Sequence, residues 1–209
     1  MLRLEHEEHG DLISTDIPDS ARYHVLQVFS GLHLQMTKCK RVPFILKIPD
    51  DTVVVVDRLI HMIKTEITMI DENAIFGIVQ DNQLVDYNPG SPWYVKKKRF
   101  PYKKYPKHCN GTGYLMSSPT VRDILSNVNK SPFIPVEEVL FTGLLAEEAK
   151  VKLMNRTDFF ADCYGWSEYI CQSECSKQGM PHTPMAYVKS LEAANIGLLY
   201  ESLQNATCL

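Results

Sequence analysis

Hydrophobic and polar positions alternate along this chain with two different periods, and the switches between them mark the predicted elements. From about Ala21 to Lys38 the apolar residues Tyr23, Val25, Leu26, Phe29, Leu32 and Leu34 recur at helical spacing, with Ser20 ahead of them as an N-cap. Before this helix, Asp11 to Ser14 reads as a short strand. Phe44-Ile45-Leu46-Lys47-Ile48 is an apolar run of the kind that fills a buried strand. It stops at Pro49, which donates no ladder hydrogen bond, so Asp50 and Asp51 are expected in a turn at the strand's end. Open α/β sheets place ligand sites at such strand ends. Thr52 to Val56 is β-branched, and from Asp57 the pattern turns helical through Leu59, Ile60, Ile63 and Ile67. Ile75 to Val79 and Tyr114 to Ser117 read as further strands, and about Pro119 to Asn129 and Val136 to Lys150 as helices. This mixture predicts an α/β fold.

One stretch breaks the alternation. Between Tyr87 and His108 the chain is rich in Pro, Tyr and Lys, with Lys96-Lys97-Lys98-Arg99 followed by Lys103-Lys104. It reads as an excursion over the surface, either a solvated basic loop or a lobe that meets an anionic phosphate or a sugar acceptor. The chain as a whole is not basic: 22 Lys and Arg stand against 25 Asp and Glu, a net charge of -3 over 209 residues, which argues against a nucleic-acid binder. That length suits one domain with a core of its own. The longest apolar stretch, around Val53 to Val56, falls far short of the roughly 18 residues a membrane span needs. The opening Leu-Arg-Leu-Glu-His-Glu-Glu-His is too charged for a signal-peptide core. Six cysteines (Cys39, Cys109, Cys163, Cys171, Cys175 and Cys208) lack paired zinc-type spacing. Together with glycosylation triplets at Asn110, Asn155 and Asn205, their even number favours a secretory-pathway lumen.

Three places carry candidate chemistry. Asp50-Asp51 offers two hard carboxylates at a turn, which either simply make the turn or hold Mg²⁺ or Mn²⁺ with positions left for phosphate oxygens. In Cys109-Asn110-Gly111-Thr112-Gly113-Tyr114, a glycine-containing turn feeding a strand, Gly111 and Gly113 would let backbone approach a ligand closely. The segment lacks the Lys-Ser/Thr ending of a phosphate loop, so a nucleoside-triphosphatase reading fails. Glu137-Glu138, two residues after Pro135, fit a helix N-terminus, where they complement the dipole, or place a general base at the mouth of a cleft.

Taken in order, Glu8 to Ser20, Phe44 to Val55, Trp93-Tyr94-Val95, Tyr105 to Tyr114 and Pro135 to Gly143 resemble the successive landmarks of the β-1,3-galactosyltransferase and β-1,3-N-acetylglucosaminyltransferase family, over roughly Glu5 to Ala149. The resemblance implies a GT-A type α/β domain, a mixed sheet flanked by helices, in a Golgi membrane protein facing the lumen. It implies transfer of galactose or N-acetylglucosamine from a UDP-sugar to the 3-hydroxyl of a glycan acceptor on glycoprotein or glycolipid, with inversion. A divalent cation, usually Mn²⁺, neutralises the departing UDP. By position, Asp50 and Asp51 correspond to the last two of the family's three metal-binding aspartates, Pro49 standing at the first. Glu138 corresponds to the Asp of Glu-Asp-Val and becomes the catalytic base, beside Glu137. Trp93, Gly111, Gly113 and Glu137 would line the donor and acceptor cleft, although Trp93 also suits an aromatic core. Cys39 and Cys109 sit where the family carries cysteines, implying a disulfide that involves them. His182 is either a surface residue or a further metal ligand. Residues 1–150 form the recognisable part and 151–209 an unmatched extension of the same domain. The resemblance begins partway into the family's catalytic domain, which implies that the first strands, the stem and the membrane anchor are missing here. The competing reading is a non-catalytic lumenal relative that binds a glycan or partner. A glycoside hydrolase is a distant third, because adjacent acids such as these do not flank a sugar at a set separation.

Overall fold

The computed structural model describes residues 2–67, 73–163, 185–188 and 193–205. Its centre is a four-stranded mixed sheet in the order β1 (Phe44–Lys47), β4 (His108–Ser117), β3 (Ala74–Gln80), β5 (Lys152–Asn155). β4 runs antiparallel to both β1 and β3, while β3 and β5 are parallel. A smaller sheet joins β2 (Thr52–Val54), β7 (Met185–Val188) and β6 (Phe160–Cys163), in that order. The helices are α1 (Leu2–His9), α2 (His24–Lys38), α3 (Val56–Thr65), α4 (Ser118–Ser126), α5 (Leu145–Glu148) and α6 (Ala193–Asn205).

Strand alternation divides the apolar residues between two faces. Ile75, Tyr114 and Met116 face a large cluster with Val25 and Leu32 of α2, Val121 and Ile124 of α4, and Val139, Phe141 and Leu145. Their neighbours Phe76 and Leu115 face a second cluster with Leu59 and Met62 of α3, Phe159 and Phe160. The sheet is thus covered on both sides, which is why Phe44 to Ile48 reads as one apolar run. Arg156 closes the second cluster. Its guanidinium is 3.7 Å from the Phe159 ring centroid, 2.7 Å from Glu66 and 2.6 Å from Asp158. α4 starts where Ser117 caps the Thr120 amide and Pro119 occupies the first turn.

Several expectations need correction. Asp11 to Ser14 pairs with no strand and lies in irregular, mostly exposed chain. Ser20 precedes a single 3-10 turn (Ala21–Tyr23) and its hydroxyl makes no cap bond. α4 ends at Ser126, three residues earlier than its pattern, with Asn127 closing it. The expected helix from Val136 is largely a π-helical stretch, Val139–Leu144, followed by the short α5. The largest change concerns β4, which begins at His108, so Gly111 to Gly113 belong to a strand and not to a turn that feeds one. The register jumps there: Gly77 pairs with Tyr114 but Val79 with Cys109, so β4 carries extra residues in a bulge opposite β3. Past residue 150 the chain continues into the main sheet as β5.

Candidate functional site

The site forms where the end of β1, the bulge of β4 and the start of the π-helical segment meet. Lys47 is the lone charged residue of the apolar run and pairs directly across from Tyr114. Its parity places it on the same face as Ile45, toward the larger cluster. There its ammonium forms an ion pair with Glu137, donates to the Gly111 carbonyl at 2.8 Å and lies 5.5 Å from the Tyr114 ring centroid. The Tyr114 hydroxyl donates to Glu137 Oε2 at 2.6 Å, and His24 Nε2 lies 3.9 Å from Oε1. Oε1 faces the Lys47 ammonium and takes no further hydrogen bond. Only 3% of the Glu137 side chain is exposed, so Glu137 braces the strands and does not line an open cleft. Burial and the Glu137 charge hold the Tyr114 hydroxyl well above its usual range, keeping it a donor.

Glu138 has a different environment. Its half-buried carboxyl packs over Gly111, where a Cβ would come within 3.1 Å of Glu138 Cδ. Gly111 is therefore needed for the space it leaves, on a bulged strand beside a carboxylate. Burial, and then the charge of Glu137, push the Glu138 carboxyl above its ordinary value, while Lys47 pulls it back. The backbone of Glu138 is pinned by Thr142, whose hydroxyl donates to the Glu138 carbonyl at 2.5 Å and accepts from the Cys109 amide at 2.8 Å. The π-helical stretch thus ties this glutamate to the central strand, a placement such stretches often have at functional sites.

Asp50 and Asp51 occupy the turn between β1 and β2. Asp51 Oδ1 is buried without a hydrogen-bond partner. Burial raises the Asp51 carboxyl, with the Asp50 charge adding to it and Lys47 opposing. One ammonium therefore acts on Asp51 and Glu138 from its place against Glu137. Thr52 ties the turn to the bulge through the Thr112 carbonyl at 3.4 Å.

The remaining expected residues divide. Gly113 belongs to the second core, since a Cβ there would come within 3.0 Å of the Phe160 ring. It makes room for that ring and does not face Glu138. Trp93 is 61% exposed on the basic excursion, which excludes it as core filler. Cys39 and Cys109 are free thiols, Cys39 exposed after α2 and Cys109 buried on β4, so the implied disulfide is absent from both. Burial pushes the Cys109 thiol up to about 12, which leaves it inert. Among the glycosylation candidates, Asn155 is committed to the Val79 amide at 3.0 Å and Asn110 to the Thr112 amide at 3.3 Å, while Asn205 is exposed at the end of α6. His182, Cys171, Cys175 and Cys208 lie outside the described residues. Reading along the chain missed Lys47, Tyr114 and Thr142. Lys47 had a signal, a single cation inside an apolar strand, which has to find a buried partner.

A family model described as galactosyltransferase matches residues 1–157, three quarters of the chain and all of this site. The chain belongs to the galactosyltransferase family. Among its curated relatives, human beta-1,3-galactosyltransferase 5 is 31% identical over 152 residues, 71% of this chain and 47% of that protein. A mouse acetylgalactosaminyl-O-glycosyl-glycoprotein beta-1,3-N-acetylglucosaminyltransferase is 26% identical over 149 residues, 71% of this chain and 37% of that protein. Mouse beta-1,3-galactosyltransferase 2 is 25% identical over 116 residues, 56% of this chain and 28% of that protein. The chain spans about half the length of the beta-1,3-galactosyltransferase 5 relatives it matches. Membership in the family supports a glycosyltransferase role, and the mixed sheet flanked by helices is consistent with a GT-A type domain. Among the described residues no helix is long and apolar enough to cross a membrane.

Proposed function

We propose that this chain carries the catalytic centre of an inverting β-1,3-hexosyltransferase of the Golgi lumen. It would move galactose or N-acetylglucosamine from a UDP-sugar to the 3-hydroxyl of a glycan acceptor. The observation that supports this best is the pair of carboxylates at the β1–β4 junction: Glu138, packed over the Gly111 whose carbonyl Lys47 holds, and Asp51, with its unpartnered oxygen in the turn that follows β1. In the reaction, Glu138 accepts the proton of the acceptor hydroxyl as that oxygen bonds to the sugar's anomeric carbon and the bond to UDP breaks. A carboxyl raised by burial is a better base than an ordinary one, provided it is ionised at working pH. Lys47 and Glu137 act at one remove by fixing the bulge carbonyl and the strand ends.

The donor chemistry at the turn suits a hard divalent cation such as Mn²⁺. Asp51 offers a buried oxygen that nothing else satisfies, and Asp50 a second carboxylate. Among the described residues no third acid, His or Cys joins them, so Asp50 and Asp51 are the residues that would hold the ion. When bound, the ion would supply charge stabilisation for the departing diphosphate. The second reading, a non-catalytic glycan- or partner-binding relative, draws on Pro49, which stands where a third aspartate would complete the run.

The test is a thermal-shift titration of the secreted chain with UDP, with and without Mn²⁺, beside Asp51→Ala, followed by transfer assays with UDP-galactose and UDP-N-acetylglucosamine. Stabilisation that needs both ligands and disappears in Asp51→Ala supports the donor site. Glu138→Gln should keep that stabilisation and lose about 10²- to 10⁴-fold in transfer rate. A folded chain with no UDP response would favour the non-catalytic reading.

A further inference from the structure

None of the roles assigned to Glu138, Asp51 and Lys47 draws on the charge of the basic excursion. Between Asn82 and His108 the chain holds seven of its 22 Lys and Arg residues and one of its 25 acids, Asp86. The excursion is a built feature. Val95, Phe100 and Tyr105 are buried in the main core, and Val95 donates its amide to the Asp86 carbonyl. The Tyr87 hydroxyl lies 3.0 Å from the Phe100 carbonyl and 2.5 Å from that of Tyr102, and Leu84 bridges to Lys104. Lys96, Lys97, Lys98 and Arg99 follow one another on a single turn, closed by the Arg99 amide on the Lys96 carbonyl at 2.8 Å, and all four are exposed.

These cations are not neutralised locally. Lys107 reaches Asp81 at 3.4 Å, Lys104 binds Asn82, and Lys97 lies over the Tyr87 ring. Lys96, Lys98, Arg99 and Lys103 have no ion-pair partner among the described residues. The one acid is engaged elsewhere, since Asp86 accepts from Ser91 and the Asn88 amide, which lowers its carboxyl below the usual value. Holding four adjacent cations on a fixed turn without counter-charges raises the local potential, and a polyanion relieves it. The same excursion exposes Trp93 (61%) and Tyr102 (67%), flat aromatic faces of the kind that stack against sugar rings.

We propose that this lobe is a docking surface for an acidic polysaccharide, a chain carrying sulfate or uronate groups. The cations take the anionic groups and Trp93 and Tyr102 take the sugar faces. Among the described residues no ion pair joins these cations to Glu138 or Asp51, so their charge can hold such a chain whether or not the site turns over.

The test measures heparin binding by the full chain over a salt series. The test variant is Lys96→Ser/Lys98→Ser/Arg99→Ser, and a control variant, Lys38→Ser/Lys40→Ser/Arg41→Ser, removes equal charge from an exposed segment elsewhere. The lobe variant should bind at least about tenfold more weakly, and its slope of log affinity against log salt should fall by roughly two to three, as expected for three lost counterion-releasing contacts. The control should stay within about twofold of the parent. Equal loss in both variants, or no loss in the lobe variant, overturns the proposal. A single-stranded oligothymidylate binding as tightly as heparin also overturns it, since the surface would then accept any polyanion. Trp93→Ala should weaken heparin binding without changing the salt slope, and unchanged affinity there refutes the role given to the aromatic faces. Because the readout is binding, failure here leaves the transferase reading intact, and loss of transfer in Glu138→Gln leaves this one intact.

Discussion

Substituting Lys47 by Met removes one charge from a place where its partner has nowhere to go. The side chain of Glu137 is 3% exposed and that of Lys47 11%, so the pair is desolvated from both ends. Met keeps most of the lysine stem's volume, which confines the change to the ammonium. Glu137 then retains the Tyr114 hydroxyl at 2.6 Å and His24 at 3.9 Å, but no close cation. Breaking a buried pair in this way costs about 3–5 kcal/mol. For a chain of this size each kcal/mol moves Tm by roughly 2–4 °C, so a fall of about 6–20 °C is expected. Adding Glu137→Gln in the same chain should reverse most of the loss. Gln has no charge to desolvate, and its carbonyl oxygen still accepts from Tyr114. The double variant should therefore be more stable than Lys47→Met alone by about 2 kcal/mol or more, the signature of coupling between the two sites. Urea unfolding followed by tryptophan fluorescence measures all three stabilities. A cost below about 1 kcal/mol for Lys47→Met would mean that the pair behaves as an exposed one. A double variant no better than the single would show that the lysine acts through packing and not through Glu137.

Other outcomes follow from neighbouring residues. Gly111→Ala should push the Glu138 carboxyl aside by a few tenths of an ångström, cutting transfer by about tenfold while stability changes by less than about 1 kcal/mol; unaltered kinetics would remove Glu138 from the reacting position. Thr142→Val keeps the shape but leaves the Cys109 amide buried without a partner, which should cost about 1–3 kcal/mol in urea unfolding. His108 is buried between the Pro106 carbonyl and the Gln83 side chain at 2.8 and 2.7 Å, and burial lowers its folded value below that of the unfolded chain. Its contribution is then complete above about pH 6.5 and is lost as pH falls through the lower folded value. His108→Gln should flatten the stability profile below about pH 6.5 relative to the parent, and parallel profiles would show that this histidine does not carry the pH dependence.

The parts legible along the chain were those set by local pattern. α2, the run from Phe44 and the Asp50-Asp51 turn after Pro49 follow from spacing and from one proline, and each stands close to where it is expected. Glu137 and Glu138 do open a helical segment, but adjacent letters concealed opposite roles: one side chain is sealed against Lys47 and the other packs over Gly111. Long-range pairing decides that difference, since Lys47 meets Tyr114 only through the β1–β4 register. The glycines misled for a related reason. Gly111 and Gly113 read as a turn because turns use glycine, whereas here they make room for Glu138 and for Phe160 inside a bulged strand. The π-helical stretch was hidden as well, because its hydrophobic spacing resembles that of an α-helix and the difference lies in backbone bonds that reach one residue further along the chain.

The small sheet has a consequence for synthesis. Asp51 is followed directly by β2, whose partner β7 spans Met185–Val188, near the far end of the chain. The ribosome therefore releases the aspartate turn early and the strand that clamps it late. At about 5–20 residues per second, the turn waits on the order of ten seconds for its partner. During that interval β2 is an unpaired edge, open to pairing with another nascent chain. A folding helper for this protein would have to shield that short strand before it assists the core.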